Sequence, residues 1–123
     1  MKRSSPGGGR LRKIEAELQR VLAELIAREV KDPRVGNVTV TSVRLSPDMG
    51  VAKVFYAPFA SAHPQQEVQS GLTRAAGFLR GEAGRRLGLR HAPRLDFVFD
   101  DTAEKAARLT GLIDRAVAQE KSK

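Results

Sequence analysis

The stretch that decides the fold is NVTVTSVRL at residues 37–45, followed by SPDMG at 46–50 and VAKVFYAPF at 51–59. The first and last of these segments are rich in β-branched and aromatic residues, which favour strands. The middle segment has Pro at its second position, which presets φ, and Gly at its end, which permits positive φ. The sequence therefore predicts a β-hairpin, with Pro58 at a strand end or on an edge because it has no amide donor.

Within the first predicted strand the apolar residues change phase. Val38 and Val40 lie on one face, whereas Val43 and Leu45 lie on the other. Because side chains alternate between the two faces of a strand, this change requires one extra residue. We expect a β-bulge near positions 41–42.

A helix is predicted before the hairpin. Apolar residues recur at steps of three and four from Leu11 to Leu25, which is the pattern of an amphipathic helix. Pro33 disfavours helical geometry at the residue before it, so the helix should run from about residue 10 to residue 31. Residues 1–9 (MKRSSPGGG) are rich in Gly, Ser and Pro, and we expect them to form a disordered lead-in.

Helical spacing returns after the hairpin, from about residue 68 to residue 87, but glycines at 77, 81, 84 and 88 interrupt it. Each glycine costs about 1 kcal/mol relative to alanine in a helix interior. We therefore expect a break or kink at Gly77 and two short helices. On a helical wheel the four glycines form one strip, which leaves two alternatives open. The strip admits either an RNA backbone or another helix of the same chain.

The remaining elements are a third strand at residues 95–99 and a final helix. DTAE at 101–104 resembles a capping box in which Asp101 accepts hydrogen bonds from the first-turn amides. The final helix is expected to face inward with Ala106, Leu109, Ile113 and Ala116, and residues 119–123 are expected to be disordered. Together these elements predict a single two-layer α+β domain with a three-stranded sheet over residues 10–118.

The chain is basic, with 22 Lys and Arg against 14 Asp and Glu and a formal net charge of +8 in 123 residues. This excess indicates a polyanionic partner, nucleic acid before an acidic membrane surface. Between residues 71 and 94 there are six arginines and one acid, and arginine pairs with phosphate through two parallel hydrogen bonds. The alternative is a solvated helix face whose charge the acidic C-terminal region neutralises.

Several classes of function are disfavoured by the composition. The absence of cysteine and the presence of only two histidines exclude a disulfide framework and thiolate metal sites, and we expect no metal or other cofactor. There is no Gly-Lys-Ser/Thr motif, and neither histidine has the context of a catalytic triad. The apolar stretches are short and residues 1–9 lack the apolar segment of a secretory signal. We expect a cytoplasmic, non-enzymatic monomer with neither a membrane nor a small-molecule substrate as partner.

Four motifs resemble the ribosome-binding factor A family, and the resemblance extends over about residues 10–113. They are REVKDPRVG at 28–36, LSPD at 45–48 with AKV at 52–54, AAGFLR at 75–80, and LR at 89–90 with Pro93, Leu95, Phe97 and Asp100. The predicted element order is that of a bacterial-type KH domain. In the family that these motifs resemble, an Ala-x-Gly kink replaces the GxxG loop of KH domains, and AAG at 75–77 matches that kink.

The resemblance implies a non-enzymatic factor that binds the small ribosomal subunit and its rRNA during late maturation. It also implies support for processing of the 5′ end of small-subunit rRNA and for growth in the cold. The alternatives are a general single-stranded-RNA KH module, which the replaced GxxG loop disfavours, and a protein-interaction adaptor, which the arginine density disfavours. The predicted RNA-binding residues are Lys31, Arg34, Arg74, Ala75, Ala76, Gly77, Arg80, Arg85, Arg86 and Arg90.

Overall fold

Three helices and a three-stranded sheet make up the computed structural model, which describes residues 6–35, 38–58 and 63–121. The elements in chain order are α1 (Pro6–Glu29), β1 (Val38–Leu45), β2 (Val51–Pro58), α2 (Gln65–Leu87), β3 (Arg94–Phe99) and α3 (Thr102–Lys121). The predicted α+β class is confirmed. The predicted strand ends at Asn37 and Phe59 lie outside the described residues.

The sheet has the order β1-β2-β3, with β1 antiparallel and β3 parallel to β2. The hairpin is confirmed, and so is the bulge, because the register shifts between Val40 and Ser42. In the turn, however, the positive φ of 61° belongs to Met49 rather than to Gly50. The Met49 amide donates to the Ser46 carbonyl at 2.8 Å, and the Asp48 carboxylate accepts from the Gly50 amide at 2.9 Å. These bonds fix a turn in which a residue before the glycine takes the left-handed conformation.

Helices α1 and α2 cover one face of the sheet, α1 against β1 and α2 against β3. The core between them is formed by fully buried side chains such as Leu22 and Leu72, each of which stabilises the fold by about 1.5–3 kcal/mol. Its single phenol, Tyr56, donates its hydroxyl to Gln69, whose amide donates in turn to the Phe97 carbonyl at 2.8 Å. The core therefore contains a polar group that is fully hydrogen-bonded.

Helix α2 runs from Gln65 to Leu87 without interruption, so the predicted division into two helices is wrong. Val68 and Leu72 on one side of Gly77, and Leu79 and Ala83 on the other, are all buried on the same core-facing side. Because that face is packed along its whole length, its burial outweighs the roughly 1 kcal/mol cost of each glycine.

The helix ends differ from the expected ones. Helix α1 begins at Pro6, four residues before the expected start at residue 10, because proline fits a first helical turn, where no amide partner is needed. It ends at Glu29, two residues before the expected end. Residues 1–5 of the expected lead-in lie outside the described residues. Helix α3 continues to Lys121, so the expected disordered segment 119–123 is helical as far as the structure describes it.

Helix α3 does not pack inward as predicted. Leu109 and Ile113 are 60% and 55% exposed, Ala106 is exposed, and the Ala116 side chain lies outside the described residues. An amphipathic pattern shows that a helix has an apolar face, but it does not supply a surface for that face to cover.

The N-terminus of α3 also differs in detail. Asp100, rather than Asp101, accepts the Thr102 amide at 2.9 Å, while the Asp101 carboxylate lies 3.5 Å from Lys105. Hydrogen bonds from Thr102 and Thr41 lower the pKa of Asp100 to about 2. The side-chain cap therefore comes from Asp100, one residue earlier than predicted, while the Asp101 carbonyl accepts the first helical hydrogen bond, from the Lys105 amide at 2.9 Å.

Candidate nucleic-acid interface

The outer face of α2 carries a strip of uncovered backbone. A Cβ atom added to Gly77 or to Gly81 would have no neighbour within 4 Å. Because residues three or four apart lie side by side on a helix, Arg74 and Arg85 flank these glycines. Phe78 lies beside them and is 48% exposed. We call these five residues the open strip.

The other two glycines of the predicted strip have structural roles. A Cβ on Gly84 would lie 2.9 Å from the Ala92 Cβ, so this glycine lets the loop before β3 approach the helix. Gly88 ends α2 with a φ of 65°, and its amide donates to the Arg85 carbonyl at 3.2 Å. Residues 81–84 (GEAG) have the spacing of a GxxG motif, which sequence reasoning missed, but they lie inside α2 and not in a loop. The strip accommodates a loop at one position and no second helix among the described residues.

The turn after α1 packs directly on α2. A Cβ on Gly71 would lie 2.8 Å from Val35 Cγ2, so only glycine allows this approach. The packing brings Asp32 close enough to Arg74 for the arginine to contribute to lowering the pKa of that carboxyl. The structure therefore brings the predicted turn and Arg74 together at one end of the open strip.

Within this turn Arg34 is held by Asp32. Its Nε donates to Asp32 Oδ1 at 3.0 Å and its Nη2 to Oδ2 at 2.6 Å, while its backbone amide donates to Oδ1 at 3.0 Å. The side-chain bond is the main cause that lowers the pKa of Asp32 to about 2. This is the local pair that competes with a phosphate contact. Lys31 is exposed and, within the part of the chain that the structure describes, has no ion pair.

Of the remaining arginines predicted to bind RNA, some are engaged, meaning that they already bind another group of the protein, and the others have no ion pair in the described ranges. Arg80 donates from Nε and Nη2 to the Ala92 carbonyl at 3.0 and 2.9 Å. Arg85 pairs with Glu82, and Arg86 lies 3.6 Å from Glu24. Arg90 is exposed and, like Arg74, has no ion pair among the described residues.

Ala75 and Ala76, which the Ala-x-Gly pattern included in the candidate site, are half-buried and pack against the core. Phe78 is the exposed residue that sequence reasoning missed. Its spacing, four residues after Arg74 and seven before Arg85, places it on the same side of the helix as these two arginines and was the available signal. An exposed phenylalanine between arginines offers a base-stacking surface beside phosphate ligands.

The described residues also bear on metal binding and on membrane insertion. Within residues 6–35, 38–58 and 63–121 there is no group of three or more His, Cys, Asp or Glu side chains able to hold a metal ion. In the same ranges no helix has the length and hydropathy needed to cross a membrane.

The fold and its basic helix face define a KH-like α+β domain. A family model described as "Ribosome-binding factor A" matches residues 10–113. A protein of that name from Thioalkalivibrio sulfidiphilus is 50% identical over 113 residues, which are 92% of this chain and 88% of the relative. One from Dechloromonas aromatica is 48% identical, over 86% of this chain and 85% of the relative. The chain belongs to the ribosome-binding factor A family.

Solved structures agree with this assignment. The crystal structure of ribosome-binding factor A from Thermus thermophilus is 35% identical, with a TM-score of 0.64, covering 72% of this chain and 93% of that one. A Thermus thermophilus homology model fitted into the cryo-EM map of a complex of the 30S subunit with ribosome-binding factor A has a TM-score of 0.60 at 35% identity, covering 72% and 92%.

Proposed function

We propose that this protein is a small-subunit assembly factor that binds rRNA through the open strip and the adjoining turn. The single observation that carries the proposal is the juxtaposition of uncovered helix backbone at Gly77 and Gly81 with Arg74 and the basic turn. An RNA backbone can approach such a helix closely, because no Cβ intervenes and cationic groups stand on its flank. The Thermus relative fitted into a map of a 30S complex supports the choice of partner.

The finer features of the role are part of the same proposal. The protein acts in late maturation, supports processing of the 5′ end of small-subunit rRNA and sustains growth in the cold. It acts as a cytoplasmic monomer and by holding immature RNA, not by bond chemistry. The KH-like fold supports this mode of action, because KH domains hold the backbone of an RNA strand through their GxxG loop. In this chain the open strip takes the place of that loop.

The deciding experiment is sedimentation of cell extract through a sucrose gradient at low and physiological salt. We expect the chain to travel with free small subunits. Arg74→Glu should move it to the top of the gradient, whereas Arg108→Glu, which makes the same charge change on exposed helix α3, should leave it bound. Equal loss in both variants would mean that net charge, and not this surface, drives the association.

Two further experiments test the roles in rRNA processing and cold growth, and the specificity for the small subunit. A deletion strain complemented by Arg74→Glu should accumulate 5′-extended small-subunit rRNA and grow slowly in the cold, while the Arg108→Glu strain should not. A general single-stranded-RNA module would instead be displaced from subunits by an unstructured homopolymer at the same concentration as by rRNA. That displacement would refute a subunit-specific role.

A further inference from the structure

A second basic site lies outside the open strip, in a cleft of about 520 Å³. Its walls are the hairpin turn at residues 48–50 and the loop at 88–92, and the side chains of Arg10 and Arg80 complete it. The volume lies in the range of about 300–1,000 Å³ that is typical of sites for small ligands. The cleft is therefore large enough for one nucleotide and too small for a duplex.

The charge of this cleft is positive. Three arginines (Arg10, Arg80 and Arg90) and one aspartate (Asp48) line it, which gives a net charge of +2 with His91 neutral. Asp48 is the one anion, but its Oδ1 already accepts from the Ser46 hydroxyl at 2.7 Å and from the Gly50 amide. Arg10 and Arg90 have no ion pair among the described residues. Their guanidinium groups are free to meet a phosphate.

The apolar part of the cleft lining includes the single described non-glycine residue with positive φ. Met49 has a φ of 61° and is half-buried, beside the half-buried Leu89 and Ala92. A residue held in this sparsely populated conformation costs stability, and such residues cluster at binding sites. A thioether is polarizable and packs well against aromatic rings. Met49 thus offers a nucleobase an apolar contact surface, which a glycine at position 49 would not provide.

Both walls of the cleft are fixed by hydrogen bonds. The Arg94 amide of β3 donates to the Gly50 carbonyl at 2.9 Å, which ties the hairpin turn to the neighbouring strand. On the other wall, the Arg80 guanidinium donates to the Ala92 carbonyl and the Leu89 amide donates to the Gly84 carbonyl at 2.9 Å. Because the walls are already ordered, a ligand does not have to organise them on binding.

We propose that this cleft binds one unpaired nucleotide of an RNA strand, with its phosphate at Arg10 and Arg90 and its base over Met49 and Leu89. The lining of one cleft combines apolar side chains with arginines that have no ion pair in the described structure, and this combination carries the proposal. It rests on the proposed function only in taking RNA as the source of the nucleotide. It adds a contact that is separate from Gly77 and Gly81 of the open strip.

The test follows backbone amides of the ¹⁵N-labelled full chain by NMR during titration with a single-stranded hexauridylate. We expect the Gly50, Leu89 and His91 amides to shift along one saturable curve. Arg90→Ala should weaken binding at the cleft about tenfold, since one phosphate contact is lost. The control Arg108→Ala removes the same charge from α3 and should change that affinity less than twofold.

Met49→Gly separates the ligand role from a purely structural one. It removes the half-buried Met49 side chain, which lowers stability, and relieves the positive φ, which raises it. These effects largely offset, so the melting temperature should stay close to that of wild type while affinity at the cleft falls about fivefold. Separate arms use uridine 5′-monophosphate and inorganic phosphate. The nucleotide should shift the same amides more weakly than the hexamer, and phosphate alone should leave Leu89 unmoved.

Three outcomes would overturn the proposal. If hexauridylate shifts only amides near Gly77 and Gly81, RNA binding stands and the cleft is not a site. If phosphate reproduces the full set of shifts, the cleft is an anion site without a base contact. If an acidic hexapeptide saturates the cleft when RNA does not, the partner is a protein. Loss of small-subunit sedimentation by the wild-type chain would instead refute the proposed function itself.

Discussion

The double substitution Gly77→Ala/Gly81→Ala is expected to make the protein more stable and a weaker ligand of the small subunit. Neither new methyl group meets an atom within 4 Å, so no packing cost opposes the change. Alanine is favoured over glycine in a helix interior by about 0.5–1 kcal/mol per position. The double variant should gain about 1–2 kcal/mol, which corresponds to a rise of about 4–8 °C in Tm for a domain of this size.

Binding should change in the opposite direction. If an RNA backbone approaches the helix at these glycines, two methyl groups hold it away from Arg74 and Arg85, and we expect about a tenfold loss of affinity. Calorimetry or thermal circular dichroism gives the stability, and sedimentation with purified small subunits gives the affinity. Because the two readouts move in opposite directions, misfolding cannot account for the loss of binding.

Gly71→Ala is the matched control for the stability argument. Its Cβ would lie 2.8 Å from Val35 Cγ2 and 3.3 Å from Asp32 Oδ2. Because Val35 is buried and β-branched, its side chain has little freedom to move away from the added methyl group. Overpacking of this kind costs about 1–3 kcal/mol, more than the helix-propensity gain. A double variant that is more stable yet binds like wild type would show that the open strip is not a contact surface. A double variant that is less stable would show that the space beside Gly77 and Gly81 is not open.

Three other outcomes are expected. If Arg74 and Arg85 each contact one phosphate, Arg74→Ala and Arg85→Ala should each reduce the slope of log affinity against log salt concentration by about 0.7–0.9. An unchanged slope would show that the substituted residue is not in the interface. The pKa of Asp32 is lowered from 3.8 to about 2 in the folded protein, so its contribution to stability is present above pH 3.8 and is lost as the pH falls toward 2. Asp32→Asn should therefore reduce the pH dependence of unfolding between pH 3.8 and 2, measured by acid denaturation. Leu112→Ser on exposed α3 should leave Tm within about 1 °C of wild type, whereas Leu22→Ala in the core should lower the free energy of unfolding by about 2–5 kcal/mol. A large loss of stability in Leu112→Ser would show that α3 packs on the domain in solution.

The sequence predicted the sheet better than it predicted the helices. A change of phase within one strand can be accommodated only by an extra residue, and the bulge between Val40 and Ser42 follows from that constraint alone. The interruption at Gly77 was predicted from a local cost, which the burial of Leu72 and Leu79 on either side outweighs. The inward face of α3 was predicted from periodicity, which does not determine whether a partner surface exists.

For the candidate site, too, the sequence predicted the local feature, the clustered arginines, but not which of them are engaged in the folded chain. Composition places positive charge in the middle of the sequence, but it cannot distinguish arginines that hold the protein together from those that face outward. The distances make that distinction: Arg34 is held by Asp32, Arg80 by the Ala92 carbonyl, Arg85 by Glu82 and Arg86 by Glu24. A phosphate that binds one of these must compete with a partner already in place. Arg74 lies near Asp32 without forming an ion pair with it, and Arg90 has no ion pair among the described residues. A phosphate contact at either arginine does not first have to break an ion pair. If phosphates drive the association, Arg74 and Arg90 should therefore contribute more affinity per charge than the four arginines that are engaged.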